Sequence, residues 1–236
     1  VLTHRIAHLI EQDRISPFEI LAITFTNKAA EEMRSRVEQL LGSEYPQLWV
    51  STFHSFCARL LRREGSLIGL SRDFVIYDSS DQLTAVKRIM RTLDIDERLI
   101  SARTILSRIS HAKNQMQSPN DLQDSGWGFQ SEQVVKVYTE YTRTLTESNA
   151  VDFDDLLLKA VTLFADSPST RSRYAEQFRY IMVDEYQDTN HPQYLLIRHL
   201  AVHQNLCVVG DPDQSIYKWR GADIGNILAF KTDFTD

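Results

Sequence analysis

Asp184 and Glu185 are adjacent carboxylates that directly follow the apolar run 180–183 (YIMV). A strand that opens into two carboxylates can serve phosphoryl-transfer chemistry. One carboxylate can hold Mg²⁺, usually through water, and the next can orient and deprotonate an attacking water. A lone Asp-Glu pair is more often an acidic turn at the surface, so a second feature must decide. The apolar run 205–209 (NLCVV) ends in Gly210-Asp211-Pro212-Asp213-Gln214-Ser215. Ligands of open α/β sheets bind at the carboxyl ends of the strands. Two strands ending in such turns would set Asp184, Glu185 and Gln214 on one edge, where Gln214 could touch a terminal phosphate and report its loss. Tyr217, Trp219 and Arg220 follow within YKWRGA. In an extended stretch Tyr217 and Trp219 share a face. Aromatic rings beside an Arg suit stacking on nucleic-acid bases, worth ~1–3 kcal/mol per base. Core packing is the commoner fate of any single Trp, but polar neighbours on both sides argue against it here.

The elements that must position these groups are legible in outline. Four short apolar runs, 19–24 (EILAIT), 48–51 (LWVS), 180–183 and 205–209, have the length and composition of strands covered on both faces. Helical spacing follows them. Ala30, Met33, Val37 and Leu40 recur after the first, and Gly42 ends that helix; Phe56, Leu60 and Leu61 follow the second. After the third, Pro192 suits a first helical turn ahead of 194–201. Strand then helix, repeated, predicts a parallel α/β sheet with right-handed crossovers. The middle of the chain differs. From about residue 80 to 149 the periodicity is helical, over 82–93, 102–113 and 132–147, with breaks at Ser118-Pro119-Asn120 and Gly126-Trp127-Gly128. This predicts a helical domain inserted at 74–150 into an α/β domain made of 1–73 and 151–236, with Asp152-Phe153-Asp154-Asp155 marking the return and one of its Asp residues capping the next helix.

Bulk properties set limits on function. At 236 residues and 42% apolar content, the chain can bury a substantial core. No apolar run approaches the ~20 residues of a membrane span, so no membrane partner is expected, and the cysteines read as reduced thiols in a cytoplasmic protein. The two cysteines, Cys57 and Cys207, lie far apart in apolar settings; that is too few and too distant for a disulfide framework or zinc site. A net charge of −6 argues against a nucleic-acid coat protein but not against a motor with a local binding groove. Arg34 and Arg36 read as solvated groups on the outer face of a helix.

The motifs together resemble the superfamily 1 DNA helicases of the UvrD/PcrA kind. Residues 184–189 (DEYQDT) are similar to motif II of that family, 209–222 (VGDPDQSIYKWRGA) to motif III, 23–33 (ITFTNKAAEEM) to motif Ia and 51–56 (STFHSF) to motif Ib. Residues 109–114 (ISHAKN) and 152–157 (DFDDLL) also look like family segments. The matches run in family order along nearly the whole chain. The resemblance implies a RecA-like sheet with an inserted helical domain, with ATP and Mg²⁺ as cofactors. It implies translocation on single-stranded DNA, 3′ to 5′, with unwinding at single-strand/duplex junctions in repair or replication. Asp184 would hold Mg²⁺ through water, Glu185 would be the general base, and Gln214 would couple the γ-phosphate to the DNA track. Phe25, Asn27, His54, Tyr217, Trp219 and Arg220 would line that track, and Lys113 would also contact DNA.

A phosphate-binding loop of the form G-x-x-x-x-G-K-[ST] is absent: none of the eight glycines precedes a Lys. In the family that loop immediately precedes a stretch like VLTHRIAHLI, and a second RecA-like domain supplies further arginines and the rest of the DNA track. The chain is therefore expected to lie within a larger protein and to be inactive by itself. Three other readings stay open: the helicase part of a RecB/AddA-like recombination nuclease, a non-catalytic DNA-binding or partner-docking module that kept the fold and lost the loop, and a purely structural α/β domain. The last leaves Glu185, Gln214 and the YKWR cluster without a common explanation.

Overall fold

In the computed structural model, residues 1–124, 129–214, 230, 232 and 234 are described. The elements run α1 (Leu2–Glu11), β1 (Ile20–Thr24), α2 (Asn27–Leu41), β2 (Trp49–Thr52), α3 (Phe53–Glu64), β3 (Val75–Ile76), α4 (Ser79–Thr92), α5 (Ala102–Asn114), α6 (Pro119–Asp124), α7 (Phe129–Glu147) and β4 (Ala150–Val151). They continue with α8 (Phe153–Asp166), α9 (Pro168–Gln177), β5 (Tyr180–Val183), α10 (His191–Leu200) and β6 (Leu206–Val208). The chain divides into two compact units, one of Val1–Arg59 with Val161–Asp236 and the other of Leu60–Ala160.

The first unit is built on a parallel sheet of order β2-β1-β5-β6. Leu21 lies opposite Trp49 and Ile181, and Ile181 lies opposite Leu206. Strand β1 is buried at every residue because it has a partner on each side and helices over it, which explains its unbroken apolar run. Ile6 and Leu9 of α1, Met33 and Val37 of α2, and Ile20, Ala22 and Met182 of the strands form one core. Burying each such side chain contributes roughly 1.5–3 kcal/mol. The expected α2 stripe shifts at its end: Leu40 is exposed, while Leu41 packs against the core. Thr26 caps α2 by accepting from the Ala29 amide, and Gly42 ends it at φ +65°, a left-handed conformation that glycine takes without strain. Arg34 is not merely solvated. It donates to the carbonyls of Tyr45 (3.3 Å) and Leu48 (2.8 Å), tying the turn after α2 to the start of β2. Arg36 is exposed beside Glu32, as expected.

The second unit is helical apart from the parallel two-residue strands β3 and β4, which are too short to leave a periodic signal. Helices α4, α5 and α7 pack through Val86, Met90, Ile105, Ile109, Val137 and Tyr141. Asp78 and Asp81 form a capping box on α4. Pro119 and Asn120, read from the sequence as part of a break, are instead the first two residues of α6. The Asp152 carboxylate accepts from the Asp155 amide and the Asp155 carboxylate from the Asp152 amide, so Asp152 does cap α8. Among the described residues no helix is long and apolar enough to cross a membrane.

Candidate functional site

The carboxyl edge of the parallel sheet collects most of the candidate residues because every strand of the sheet points the same way. Strand β5 keeps its pairing one residue past its end, where the Asp184 amide donates to the Ile23 carbonyl at 2.9 Å. The chain then turns sharply. Glu185 takes φ +51° and ψ +42°, a left-handed conformation unusual for a residue with a side chain. This turn starts the short 3₁₀ segment Tyr186–Asp188 and leaves Glu185 exposed. On the neighbouring strand the Val209 amide donates to the Val183 carbonyl, and the Tyr186 amide donates to the Val209 carbonyl, both at 2.9 Å. The loops after β5 and β6 are thereby stitched together at their roots.

Side chains continue the connection. Gln187, fully buried, donates from Nε2 to Glu185 Oε2 at 2.7 Å and accepts the Asp211 amide on Oε1 at 3.0 Å. The Asp211 carboxylate accepts the Asp213 amide at 3.0 Å and the Gln214 side-chain amide at 2.7 Å. Gly210 is required for this approach: a Cβ there would lie 2.5 Å from Gln187 Oε1.

Asp184 is half-buried. Burial first, and the adjacent Glu185 charge second, push its carboxyl above the usual range. Two neighbouring carboxylates held this way are hard oxygen donors suited to a divalent cation with an otherwise watery shell. A cavity of about 180 Å³ opens beside Asp184, lined among others by Val1 and Thr3 at the start of α1, Ala29 and Arg36 of α2, and Val209.

Phe25 and Asn27 follow β1, and His54 follows β2, whose terminal residues Thr24 and Thr52 lie opposite each other. Phe25 is half-buried, its ring edge-on to Phe53 at 5.7 Å, and Asn27 is exposed. His54 is half-buried in the first turn of α3, which Thr52 caps by accepting the Ser55 amide at 3.2 Å. Tyr217, Trp219 and Arg220 lie outside the described residues.

Lys113 requires a correction. It belongs to the second unit and is 2% exposed, with Nζ 2.7 Å from Asp152 and 2.8 Å from Asp155. The Tyr141 hydroxyl donates to the same Asp152 oxygen at 3.1 Å. Burial alone would lower the lysine, but Asp155 and Asp152 outweigh it and hold the ammonium well above its ordinary pKa. A cation enclosed in this way is spent on its carboxylates and is not available to a DNA phosphate.

Sequence reasoning assigned no role to Gln187, Gly210 or Asp211. Their types are ordinary in a polar turn, and only the closeness of the two loops brings Gln187 to the Asp211 amide and to Gly210.

The model for the UvrD/REP helicase N-terminal domain matches residues 1–235. The chain belongs to this family. Three curated relatives, each named ATP-dependent DNA helicase PcrA, are similar to it over almost all of its length. The Staphylococcus epidermidis protein is 49% identical over 100% of the chain, the Bacillus subtilis protein 48% over 99%, and the Staphylococcus aureus protein 47% over 100%. The chain spans 32% of each of those proteins. Within this UvrD/REP domain, Cys57 is buried and Cys207 half-buried, both as free thiols; burial pushes Cys57 far above the usual thiol pKa and leaves it unreactive.

Proposed function

We propose that this UvrD/REP domain is the first RecA-like half of an ATP-driven motor that moves along single-stranded DNA, 3′ to 5′, and unwinds duplex at junctions during repair or replication in the cytoplasm. Residues 1–73 and 151–236 would form the motor domain, and the helical stretch 74–150 its insertion. The observation that carries the reading is the convergence of Asp184, Glu185 and Gln214 on one sheet edge, with Glu185 joined to Gln214 by hydrogen bonds through Gln187 and Asp211.

The donor set fits MgATP. Among the described residues no group of three or more His, Cys, Asp or Glu could cage a metal. Mg²⁺ needs no such cage, because water and phosphate complete its shell around one or two carboxylates. Bound there, MgATP would supply the scissile γ-phosphate and the charge that neutralises it. Asp184 would hold the cation through water. Its raised pKa reflects burial and the Glu185 charge, a penalty that a cation would offset. Glu185 would orient a water and accept its proton. Gln214 would face the γ-phosphate, and its loop leads directly to Tyr217, Trp219 and Arg220. Those residues, with Phe25, Asn27 and His54, would line the single-stranded DNA. A second RecA-like domain would complete both the nucleotide site and the track.

The test is single-stranded-DNA-stimulated ATPase, measured on the full-length protein that contains this chain, on its Glu185→Gln variant and on the 236-residue chain. The expected result is stimulation in the first, a fall of about 10²–10⁴-fold in the second, and none in the third, which has no G-x-x-x-x-G-K-[ST] run. DNA binding without ATPase in the full-length protein would replace the motor with a non-catalytic binding module.

A further inference from the structure

The Gln187 side chain bridges the loop that carries Glu185 and the loop that carries Asp211 and Gln214. It is completely buried, yet both ends of its amide are committed. Nε2 donates to the Glu185 carboxylate at 2.7 Å, and Oε1 accepts from the Asp211 amide at 3.0 Å. The orientation is fixed by chemistry. A carboxylate can only accept and a backbone amide can only donate, so the reversed amide would place two acceptors together at one end and two donors at the other. Asp211 passes the connection on, because its carboxylate accepts both the Asp213 amide and the Gln214 side chain. The fit is close enough to exclude any side chain at position 210 without displacement of Gln187.

We propose that Gln187 is a positioning residue that couples the Glu185 carboxylate to the position of the Gln214 loop. The proposal rests on the reading of Glu185 as the hydrolytic base. When Gln214 and Asp211 move together, the Asp211 amide moves with them, and Gln187 transmits that displacement to Glu185. Hydrolysis is then fast only while the Gln214 loop is in its engaged position. Gln187 itself touches neither the nucleotide nor the attacking water; it acts through Glu185.

Two near-isosteric variants of the full-length protein test this. Gln187→Glu keeps an acceptor for the Asp211 amide but sets a second carboxylate against Glu185. Gln187→Met keeps the volume and removes both hydrogen bonds. Each is expected to lower DNA-stimulated kcat by about 10- to 100-fold, the penalty for roughly 1 Å of misplacement. KM for ATP and the affinity for a fluorescent non-hydrolysable ATP analogue should stay within about twofold. The losses from Gln187→Met and Gln214→Ala should be less than additive, because both break the same chain. A kcat within twofold of the unsubstituted protein in both variants overturns the proposal. So does loss of analogue affinity alongside kcat, or full additivity with Gln214→Ala, since either marks a residue that only supports the fold. Glu185→Gln run in parallel separates the two readings: if that variant hydrolyses ATP normally, the assignment of the base has failed, and if it is inactive while the Gln187 variants are normal, only the coupling has.

Discussion

Replacing Lys113 with Met separates a buried structural cation from a DNA contact. The ammonium sits 2.7 Å from Asp152 and 2.8 Å from Asp155, with both carboxylates nearly enclosed. Met has similar length and fills the space but leaves two carboxylates without a counter-ion. Breaking one partner out of a buried pair costs about 3–5 kcal/mol. Two orphaned carboxylates push toward the upper end; the Tyr141 hydroxyl and the reciprocal amide bonds of Asp152 and Asp155 pull the other way. A loss of about 4 kcal/mol is therefore expected at pH 7. Burial already raises the Asp155 carboxyl with Lys113 present, and removing the lysine raises it further. A carboxyl whose folded pKa exceeds its unfolded pKa binds more protons in the folded state, so stability falls as pH rises through the folded value. The Lys113→Met deficit should thus shrink as pH is lowered from 7 toward 5. Lys113 contributes fully across this range, because its own folded pKa is raised and its contribution is lost only at strongly alkaline pH. Urea unfolding followed by circular dichroism at the two pH values measures this. A deficit below about 1 kcal/mol, a size typical of exposed pairs, would refute the argument. Weaker single-stranded-DNA binding at unchanged stability would reinstate the DNA contact.

Gly210→Ala would place a methyl group 2.5 Å from Gln187 Oε1. It is expected to destabilise the first unit by about 1–3 kcal/mol and to reduce ATPase beyond that loss of folded protein, measured by thermal unfolding alongside steady-state turnover. Arg34→Ala removes the bonds to the Tyr45 and Leu48 carbonyls and should cost about 1–3 kcal/mol. Hydrogen exchange should then speed up at residues 43–48 rather than across the sheet.

How much the sequence disclosed depended on whether a feature was local. Residues 180–183 are apolar because the faces of β5 are covered, with Ile181, Met182 and Val183 buried, and the strand occupies those residues. Gly42 and an Asp cap ahead of α8 are readable because capping is decided within a few residues. Asp184 and Glu185 stand out in the sequence because they directly follow an apolar run of strand length. The burial of Lys113 is not legible because its partners lie 39 and 42 positions further along the chain, and only the resemblance sets it against DNA. Arg34 misled for the same reason, since its acceptors are backbone carbonyls that carry no mark in the sequence. Helix α9 left no readable stripe, being largely polar with only Thr170, Tyr174 and Ala175 buried. Gln187 is the clearest limit. Its neighbours in sequence mark a motif, and its bond to Glu185 is local, but its bond to the Asp211 amide depends on the pairing of β5 with β6.

That pairing also explains why Glu185 is held in an unfavourable backbone conformation. Asp184 is fixed by the Ile23 carbonyl and Tyr186 by the Val209 carbonyl, so the single residue between them must absorb the turn, and it does so at φ +51°. A left-handed conformation costs a residue with a Cβ about 1–2 kcal/mol. Glycine at 185 would relieve this while adding entropy to the unfolded chain, for a net gain of up to about 1 kcal/mol. Glutamine keeps the Cβ and the strain. If the strain is retained for the carboxylate's position, Glu185→Gly should be more stable than Glu185→Gln in urea unfolding, with both inactive in ATP hydrolysis. A glycine variant less stable than the glutamine variant would mean that contacts of the side chain, such as the bond from Gln187, outweigh the backbone cost. The conformation would then be stabilised locally rather than imposed by the two strands.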